Sequence, residues 1–487
     1  MGFDPSRTGG VWGRLLIGAA VVIFATAAAT AVAAFREVDR VVSAFNANPE
    51  LKLGAELAQT DPGEPQTIML LGSDKRPRRN REGAGTDARS DTIILVRLDP
   101  SKRAVSLMSL PRDLRVTVPG HGVDRLNSAY EHGGPKLALR TVKRLTGLSV
   151  NHVINVDFRG FWAAVNAIGC VYADIDRRYY NASAEFSYID IQPGYQKVCG
   201  RHALQYVRYR HEDNDLVRSA RQQEFLREAK QQVGVRQLIN DRDRLVRIFG
   251  RYTTSDIRSR AEVLRLLKLA VFSATQPVRE VHFTGEITLG DEATNTPSYV
   301  TASNAQIKRY TRQFLGADEK KARPGVALAK RRHRRRAGGA VPGLERADGS
   351  GRDQAQQAAR QGAGGRLRVL YPTLLTSGAL YAAAPRVYKI KGPHGRRYGA
   401  YRMVVRRGIL GEYYGLQGTT WRDPPILDDP TETRRVGGRT FELHYDGNRL
   451  RLVAWRTPTA AYWVSNTLLE TVSARQMIAI ARSTRPL

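Results

Sequence analysis

Acidic residues are scarce in this sequence. The 487 residues include 46 Asp and Glu against 77 Lys and Arg, for a formal net charge of +31 at pH 7. That imbalance argues against a cationic partner and favours a polyanion such as nucleic acid, anionic lipid or a phosphate-bearing polymer. The length leaves room for more than one domain and for a sizeable core.

Cysteine is almost absent, and Cys170 and Cys199 are the only two. Two thiols cannot complete a metal site without further ligands. In an oxidising compartment they can form one disulfide, and the alternative is two unrelated buried thiols.

One long uncharged run stands near the N-terminus, from Leu15 to Phe35. Because roughly 20 apolar residues span a bilayer, we expect residues 15–35 to be a transmembrane anchor. Arg7 and Arg14 precede the run, so residues 1–14 should stay in the cytoplasm and the rest of the chain should be exported. The alternative is a cleaved signal ending near Ala31 to Ala33. Both readings disfavour a cytosolic nucleic-acid binder.

Composition predicts three regions after a membrane-proximal segment, residues 36–65. Residues 66–315 mix apolar periodicities with glycine turns, as expected of an α/β domain. Large apolar residues are nearly missing from residues 316–365, which include a basic run at 330–336 and are predicted to be a disordered linker. Residues 366–487 alternate strand-like stretches with turns, so we predict a small α+β accessory domain without a catalytic constellation. Tyr413, Tyr414 and Trp421 in it suit either sugar stacking or core packing.

Three strands at the start of the α/β domain are expected to form a meander. The turn Asp99-Pro100-Ser101-Lys102 should reverse the chain between the second and third strands. One end of the sheet would then gather four charged residues, namely Asp74, Arg89, Asp91 and Arg112.

The residue types at this end suit a divalent cation beside an anionic ligand. Asp74 and Asp91 offer the hard oxygen ligands that Mg²⁺ prefers. Arginine guanidiniums match phosphate oxygens bidentately. For any single residue, a turn cap or a surface ion pair is an equally good explanation, and only the convergence favours a site.

A second charged stretch, Val207 to Phe225, should join this site. Asp215 is a candidate N-cap for a helix over 216–233, which places Arg218 and Gln222 on one face near its N-terminus. Arg208 and Arg210 lie just before the helix. Guanidiniums aimed at one point need concentrated negative charge there, such as a pyrophosphate.

In these motifs the sequence resembles the LytR-CpsA-Psr proteins, in particular actinobacterial ones, which attach glycopolymers to the bacterial cell wall from outside the membrane. The resemblance rests on several elements in order, none specific alone: Gly72-Ser73-Asp74, Arg89-Ser90-Asp91-Thr92, Ser109 to Asp113, Arg125-Leu126-Asn127, Gly133-Gly134, Val156-Asp157-Phe158 and the stretch from Arg208 to Gln222. It implies a catalytic domain with a mixed central sheet flanked by helices.

The resemblance also implies roles for the site residues. Asp74 and Asp91 would bind Mg²⁺. The pyrophosphate would be held by Arg89, Arg112, Arg115, Arg125, Arg208, Arg210, Arg218 and Gln222. Arg125 stands where the family usually has Lys, and Asn166 and Cys170 stand where it more often has Asp and Gly. Because Cys170 departs from the family pattern together with Cys199, the disulfide is favoured.

The implied reaction is a Mg²⁺-dependent phosphotransfer. A glycosyl phosphate would pass from a polyprenyl-pyrophosphate carrier to a peptidoglycan hydroxyl, with pyrophosphate hydrolysis as a side activity. Arg112 would stabilise charge, and Asp91 or Asp113 would serve as the base. The alternative is an exported, non-catalytic module that binds anionic wall polymers or polyprenyl lipids. A DNA-binding role is disfavoured, because only residues 1–14 would face the cytoplasm.

Overall fold

The structure is a computed structural model. It describes Arg36 and residues 38–61, 63–73, 90–102, 104–182, 188–210, 212–234, 237, 240–274, 276–283, 285–288, 298–316, 341–408 and 412–487. Within these ranges no helix has both the length and the apolar character needed to cross a bilayer. The predicted anchor, residues 15–35, lies outside them, as do Asp74 and Arg89.

Residues up to Thr301 form fourteen named strands. They are β1 (Gln66–Ser73), β2 (Ser90–Asp99), β3 (Ala104–Leu110), β4 (Arg115–Val118), β5 (Gly122–Arg125), β6 (His152–Asp157), β7 (Val171–Ile175), β8 (Tyr179–Asn181), β9 (Ile189–Ile191), β10 (Gly194–Val198), β11 (Thr253–Ser255), β12 (Val278–Val281), β13 (Glu286–Thr288) and β14 (Tyr299–Thr301).

Seven helices with defined bounds accompany these strands within the described residues, and residues 38–45 are helical as well. The seven are α1 (Ser128–Thr146), α2 (Phe158–Ala167), α3 (Gly200–Arg208), α4 (Asp215–Gln232), α5 (Arg242–Tyr252), α6 (Arg260–Ala274) and α7 (Asn304–Phe314).

The central sheet is mixed, as predicted, with the strand order β11-β6-β1-β2-β3-β12. Its middle is the expected antiparallel meander, because β2 pairs with both β1 and β3. Two outer strands are parallel to their neighbours, β6 to β1 and β12 to β3. Every residue of β3 is buried, which fits its nearly continuous apolar sequence and a sheet covered on both faces.

Helices cover both faces of this sheet. On one face, α1 and α7 pack against the sheet residues Met69, Leu95 and Met108, through side chains such as Leu139 and Phe314. On the other, Leu269 of α6 and Leu226 of α4 pack beside Leu98, Val105 and Leu107. The two layers hold the ends of the central strands in place.

The remaining elements follow residue 340. The strands are β15 (Leu344–Arg346), β16 (Leu370–Tyr371), β17 (Leu374–Thr376), β18 (Leu380–Tyr381), β19 (Arg386–Lys391), β20 (Arg397–Arg407), β21 (Glu412–Thr419), β22 (Glu432–Val436), β23 (Arg439–Asp446), β24 (Arg449–Arg456), β25 (Ala461–Ser465) and β26 (Arg485–Pro486), and the helices are α8 (Asp348–Arg360) and α9 (Ala474–Ser483).

This C-terminal region is mainly β, which corrects the expected α+β balance. Eight strands, β18 to β25, form one sheet, and two helices accompany it. Tyr414 and Trp421 are 1% and 6% exposed, so core packing is the correct interpretation of both. The turn Asp446-Gly447-Asn448 joins β23 to β24, with Gly447 in the left-handed region.

The prediction of a disordered linker is wrong for residues 341–365. Helix α8 lies there, and its Ala355 and Ala358 are fully buried in the C-terminal core. The composition suggested disorder because large apolar residues are scarce here. The core contacts of α8 are made by small alanines instead. The basic run at 330–336 lies outside the described residues.

The two regions share a buried contact surface. Tyr172 and Tyr195 lie in one apolar cluster with Trp421 and Trp463 of the C-terminal sheet. Arg402 of β20 forms an ion pair of 3.1 Å with Asp174 of β7. The C-terminal sheet is therefore docked on the α/β domain.

Candidate active site

The ends of four central strands meet at one edge of the sheet. Ser73 at the end of β1 pairs with both Ser90 at the start of β2 and Asp157 at the end of β6. Leu110 ends β3 at the same edge, opposite Ile93. The loops that leave β1 and β3 therefore emerge together, as the meander predicted.

A β-bulge marks this edge at Asp91. Gly72 pairs with Thr92 and Ser73 pairs with Ser90, so Asp91 is the extra residue between them. Bulges re-aim a side chain and are common beside active sites. The side chain of Asp91 is outside the described residues. The convergence of the Asp74, Arg89 and Asp91 side chains thus stays a prediction. The end of β1 and the start of β2, next to these residues, do lie side by side.

Asp113, just beyond β3, is the centre of the described site. Its side chain is 6% exposed. The Arg210 Nη1 lies 3.0 Å from its Oδ2, and the Nε atoms of Arg112 and Arg125 lie 3.5 and 3.9 Å from its Oδ1. The three arginine side chains are 22–35% exposed, so a ligand can reach them.

Asp215 extends this cluster to helix α4. It forms a buried ion pair with Arg218, and its Oδ2 accepts a hydrogen bond of 3.4 Å from the backbone N–H of Asp113. The N-cap of α4 is Asn214, whose side chain accepts a bond from Val217, so the predicted cap was misplaced by one residue. The helix N-terminus adds its own preference for anions at this edge.

The cluster carries an excess of positive charge. Among the described residues, the four guanidiniums of Arg112, Arg125, Arg210 and Arg218 face two carboxylates. Burial and the nearby Asp215 raise the pKa of Asp113, against the opposing effect of Arg112, Arg218 and Arg125. A compact anion with several oxygens matches this arrangement.

Arg115 and Arg208 lie at the margins of the cluster. Arg115 stands opposite Arg125 in the β4–β5 ladder, and its guanidinium is 5.9 Å from the centre of the Tyr299 ring. Arg208 is the last residue of helix α3, and its guanidinium lies 4.0 Å from the centre of the ring of Phe158, the first residue of α2. Its backbone is helical, whereas a shared face with Arg210 would have required a strand.

Gln222 lies beneath the site. Its side-chain amide donates to Thr92 and to the Val207 carbonyl, and its carbonyl accepts from Ser109. Both of its N–H groups are therefore engaged by the protein and tie α4 to β2 and the end of α3, while its carbonyl ties α4 to β3.

Some contacts of the site were missed by the sequence analysis. Ser298 accepts a 3.2 Å hydrogen bond from Arg125, and Tyr299 faces Arg115. Nothing in the sequence links residues almost 175 positions apart. The ion pair between Asp215 and Arg218 could have been predicted from the sequence, because residues three apart on a helix are neighbours.

One arginine of the charged stretch belongs to the core instead. Arg221 is completely buried, forms an ion pair with Asp213 and donates to the Tyr209 carbonyl. It fixes the segment before α4 and does not face the cluster of Asp113.

The disulfide between Cys170 and Cys199 is confirmed, with 4.7 Å between the Cα atoms. It joins the start of β7 to the start of α3, the helix that ends at Arg208. Asn166 is exposed and packs against Gly200, where a Cβ atom would approach its amide to 2.9 Å.

A divalent cation at this edge stays a prediction, because the side chains of Asp74 and Asp91 lie outside the described residues. Asp74 and Asp91 each adjoin the paired residues Ser73 and Ser90 in sequence. Carboxylate oxygens beside a phosphate-binding cluster are the ligands that Mg²⁺ uses together with phosphate and water.

Fold and site together define a class of protein, an α/β domain with a cluster of arginines around a buried carboxylate at one end of its mixed sheet. The chain belongs to the LytR_cpsA_psr family, whose model matches residues 21–314.

Individual relatives cover parts of the chain. TagT of Bacillus subtilis, a polyisoprenyl-teichoic acid–peptidoglycan teichoic acid transferase, is 30% identical over 224 residues, which are 44% of this chain and 68% of TagT. LcpB of Corynebacterium glutamicum, a probable cell wall biosynthesis protein, is 38% identical over 166 residues, 32% of this chain and only 39% of LcpB. A solved structure of TagT bound to LI-WTA covers 55% of this chain and 100% of its own, with 24% identity and a TM-score of 0.42.

Proposed function

We propose that this protein transfers a glycopolymer from a polyprenyl-pyrophosphate carrier to peptidoglycan on the outer side of the cell membrane, anchored there by residues 15–35. One observation carries the proposal. Three partly exposed guanidiniums, those of Arg112, Arg125 and Arg210, are held around the buried carboxylate of Asp113. The transferase name of TagT supports the choice of donor and acceptor.

The arginines bind the pyrophosphate and neutralise its charge. Arg112, Arg125 and Arg210 contact it from the strand side, with Arg89, Arg115 and Arg208 around them, and Arg218 contributes its charge from the first turn of α4. Because the guanidiniums are fixed before the ligand arrives, little reorganisation is needed as charge develops. Gln222 supports this arrangement through its hydrogen bonds instead of touching the phosphate.

Asp74 and Asp91 would hold Mg²⁺, which supplies further charge neutralisation on the phosphates when bound. In the transfer itself, the acceptor hydroxyl oxygen bonds to the phosphorus that carries the sugar. The bond from that phosphorus to the bridging oxygen breaks, and polyprenyl phosphate leaves. The hydroxyl proton passes to a carboxylate. Since three guanidiniums surround Asp113, we assign it to positioning, and Asp91 is the candidate base.

The test is hydrolysis of a short polyprenyl pyrophosphate by the full chain in detergent, with water replacing the acceptor. We expect release of phosphate that requires Mg²⁺ and falls at least about 100-fold in Arg112→Ala and in Asp91→Ala. Arg396→Ala is the matched control, because Arg396 is an exposed arginine of the C-terminal region. Tight lipid binding without turnover by the wild type would instead favour the non-catalytic module.

A further inference from the structure

A second cluster of charged side chains lies where the two regions of the chain meet. His282 follows strand β12 of the central sheet, and Glu280 is in that strand. Asp446 ends strand β23 of the C-terminal sheet, and Glu470 lies in the loop after β25. All four side chains are buried, with exposures of 5% or less.

The imidazole of His282 points into the three carboxylates. Its Nε2 lies 3.4 Å from Glu280 Oε2, 3.7 Å from Asp446 Oδ2 and 3.6 Å from Glu470 Oε2. Neither ring nitrogen has a hydrogen-bond partner within the described residues, and neither does Oε2 of Glu280 or of Glu470. A buried histidine without hydrogen-bond partners destabilises the folded state, and buried polar groups almost always have such partners.

The neighbouring arginines already bind carboxylates on the far side of the cluster. Arg227 contacts Glu280 through the other carboxylate oxygen, Oε1, and also contacts Glu228. Arg451 contacts Glu228 at 3.2 Å. Asp446 Oδ2 also accepts a 3.1 Å hydrogen bond from the backbone N–H of Glu280. Glu280 and Glu470 help to line a cavity of about 20 Å³ beside the cluster.

The distances from the His282 nitrogen to the three carboxylates match the edges of a coordination shell. Zinc binds histidine nitrogen and carboxylate oxygen at about 2.0–2.2 Å and prefers a tetrahedron, whose ligand atoms are then about 3.4 Å apart. The three Nε2 to oxygen distances, 3.4–3.7 Å, are close to that edge length. The nearest ligand atoms of Glu280, His282 and Asp446 also all lie within 4.8 Å of one another.

We propose that Glu280, His282, Asp446 and Glu470 bind one divalent transition-metal ion, with Zn²⁺ the best fit, and that this ion fastens the C-terminal sheet to the central sheet. The set combines imidazole with carboxylates, which suits Zn²⁺ better than the all-oxygen shells of Mg²⁺ or Ca²⁺. Two ligands come from each region, so the ion closes their contact. The site uses none of the residues assigned to the transfer reaction and does not depend on that reaction.

The competing explanation is a protonated imidazole without any metal. The three carboxylates raise the pKa of His282 to about 9, despite its burial, so an imidazolium could balance part of their charge. A single water in the cavity is the other competitor. Direct metal binding distinguishes the proposal from both.

The experiment uses the full chain in detergent, without a polyhistidine tag and with excess Mg²⁺ to occupy the predicted catalytic carboxylates. Zn²⁺ binding is measured by calorimetry and by metal analysis after dialysis. Co²⁺ replaces Zn²⁺ in a parallel sample, because tetrahedral Co²⁺ has a strong visible absorption band. The variants are Glu470→Gln and Asp446→Asn, which keep side-chain size, and the control is Asp353→Asn, an exposed carboxylate of helix α8.

We expect about one Zn²⁺ per chain in the wild type and in the control, the Co²⁺ band, and a higher Tm with metal than after chelation. The two ligand variants should bind at least about 100-fold more weakly. Absence of stoichiometric Zn²⁺ or Co²⁺ from the wild type would overturn the proposal whether or not the variants fold. Unchanged affinity in both folded ligand variants would overturn it as well.

Discussion

At the scale of single residues, Asp113 shows how a carboxylate can serve an anion-binding site. It contacts three guanidiniums, and its backbone N–H donates to Asp215. Without it, like charges would repel and the side chains would spread. A negative residue in a pocket for a negative ligand thus makes physical sense as a positioning group.

Asp113→Asn tests this role. We expect pyrophosphate hydrolysis to fall by about 100-fold, because a misplaced guanidinium costs that order of rate. The Tm should not fall comparably, since burial and Asp215 already disfavour the ionised form, as the raised pKa shows. Asp61→Asn is the control, at an exposed position before β1. Full activity in the Asp113 variant would contradict the positioning role.

His444 should make the C-terminal sheet sensitive to acid. Burial, with the charges of Arg451 and Arg456, lowers the pKa of His444 from 6.5 to about 3. Below pH 6.5, His444 binds a proton in the unfolded chain but stays neutral in the folded chain. The free energy of unfolding therefore decreases as the pH falls from 6.5 towards 3.

The matching variant is His444→Leu, which cannot take up a proton. Between pH 7.5 and pH 5, the wild type should lose about 2 kcal/mol more unfolding free energy than the variant. Denaturant titrations at the two pH values give the change in unfolding free energy for each protein. Comparing these changes cancels any effect of the substitution on packing that is the same at both pH values. Equal losses in both proteins would show that His444 does not titrate on unfolding.

At the scale of secondary-structure elements, the disulfide explains why a cysteine, Cys170, occupies a backbone conformation that favours glycine. Cys170 has φ of +70°, in the left-handed region that favours glycine. The family more often has Gly at this position, and here a side chain that forms a disulfide takes its place. The strain of that conformation is offset by the link to Cys199, which closes a loop across 29 positions.

Two double variants separate the effect of backbone strain at position 170 from the effect of the disulfide. Both carry Cys199→Ser, and position 170 becomes Gly in one and Ser in the other. Loss of the disulfide should cost ~3–4 kcal/mol of unfolding free energy in the Ser variant. The Gly variant should be the more stable of the two by about 1 kcal/mol, because only it adopts the left-handed conformation without strain. A more stable Ser variant would contradict this account.

At the scale of the whole molecule, the C-terminal sheet is part of the structure that supports the site. Leu468 packs against Val217 and Ala220 on the first turns of α4, the helix that carries Arg218. The ion pair between Asp174 and Arg402 is almost completely buried, and Trp463 also donates to Asp174.

Asp174→Ala should therefore uncouple the two regions. It leaves the guanidinium of Arg402 buried without its partner, at a cost of about 3–5 kcal/mol. Replacing both partners, Asp174→Ala with Arg402→Met, should restore much of the loss, because no charge is then stranded. Calorimetry should show one unfolding transition in the wild type and a broadened or divided one in the single variant. A single variant as stable as the wild type would argue against tight coupling.

The sequence was enough to predict the meander and the clustering of the arginines, and its family resemblance implied the mixed sheet. Alternation, turns and charge spacing are local, and they carry that information along the chain. It was not enough for the helical backbone of Arg208 or for the engagement of both Gln222 N–H groups within the protein. Those features depend on which distant strands lie beside α4.

By itself, the sequence determined the uncharged N-terminal run and, through its motifs, the family. It favoured the pairing of the two cysteines and predicted that Arg112, Arg210 and Arg218 lie near one another. Only the tertiary structure decided that residues 341–365 belong to a folded C-terminal core. It alone also brought His282 within 3.7 Å of carboxylates from a region more than 160 residues away. Such contacts depend on the docking of two sheets, and the free energy of that docking is spread over many buried side chains with no shared local pattern.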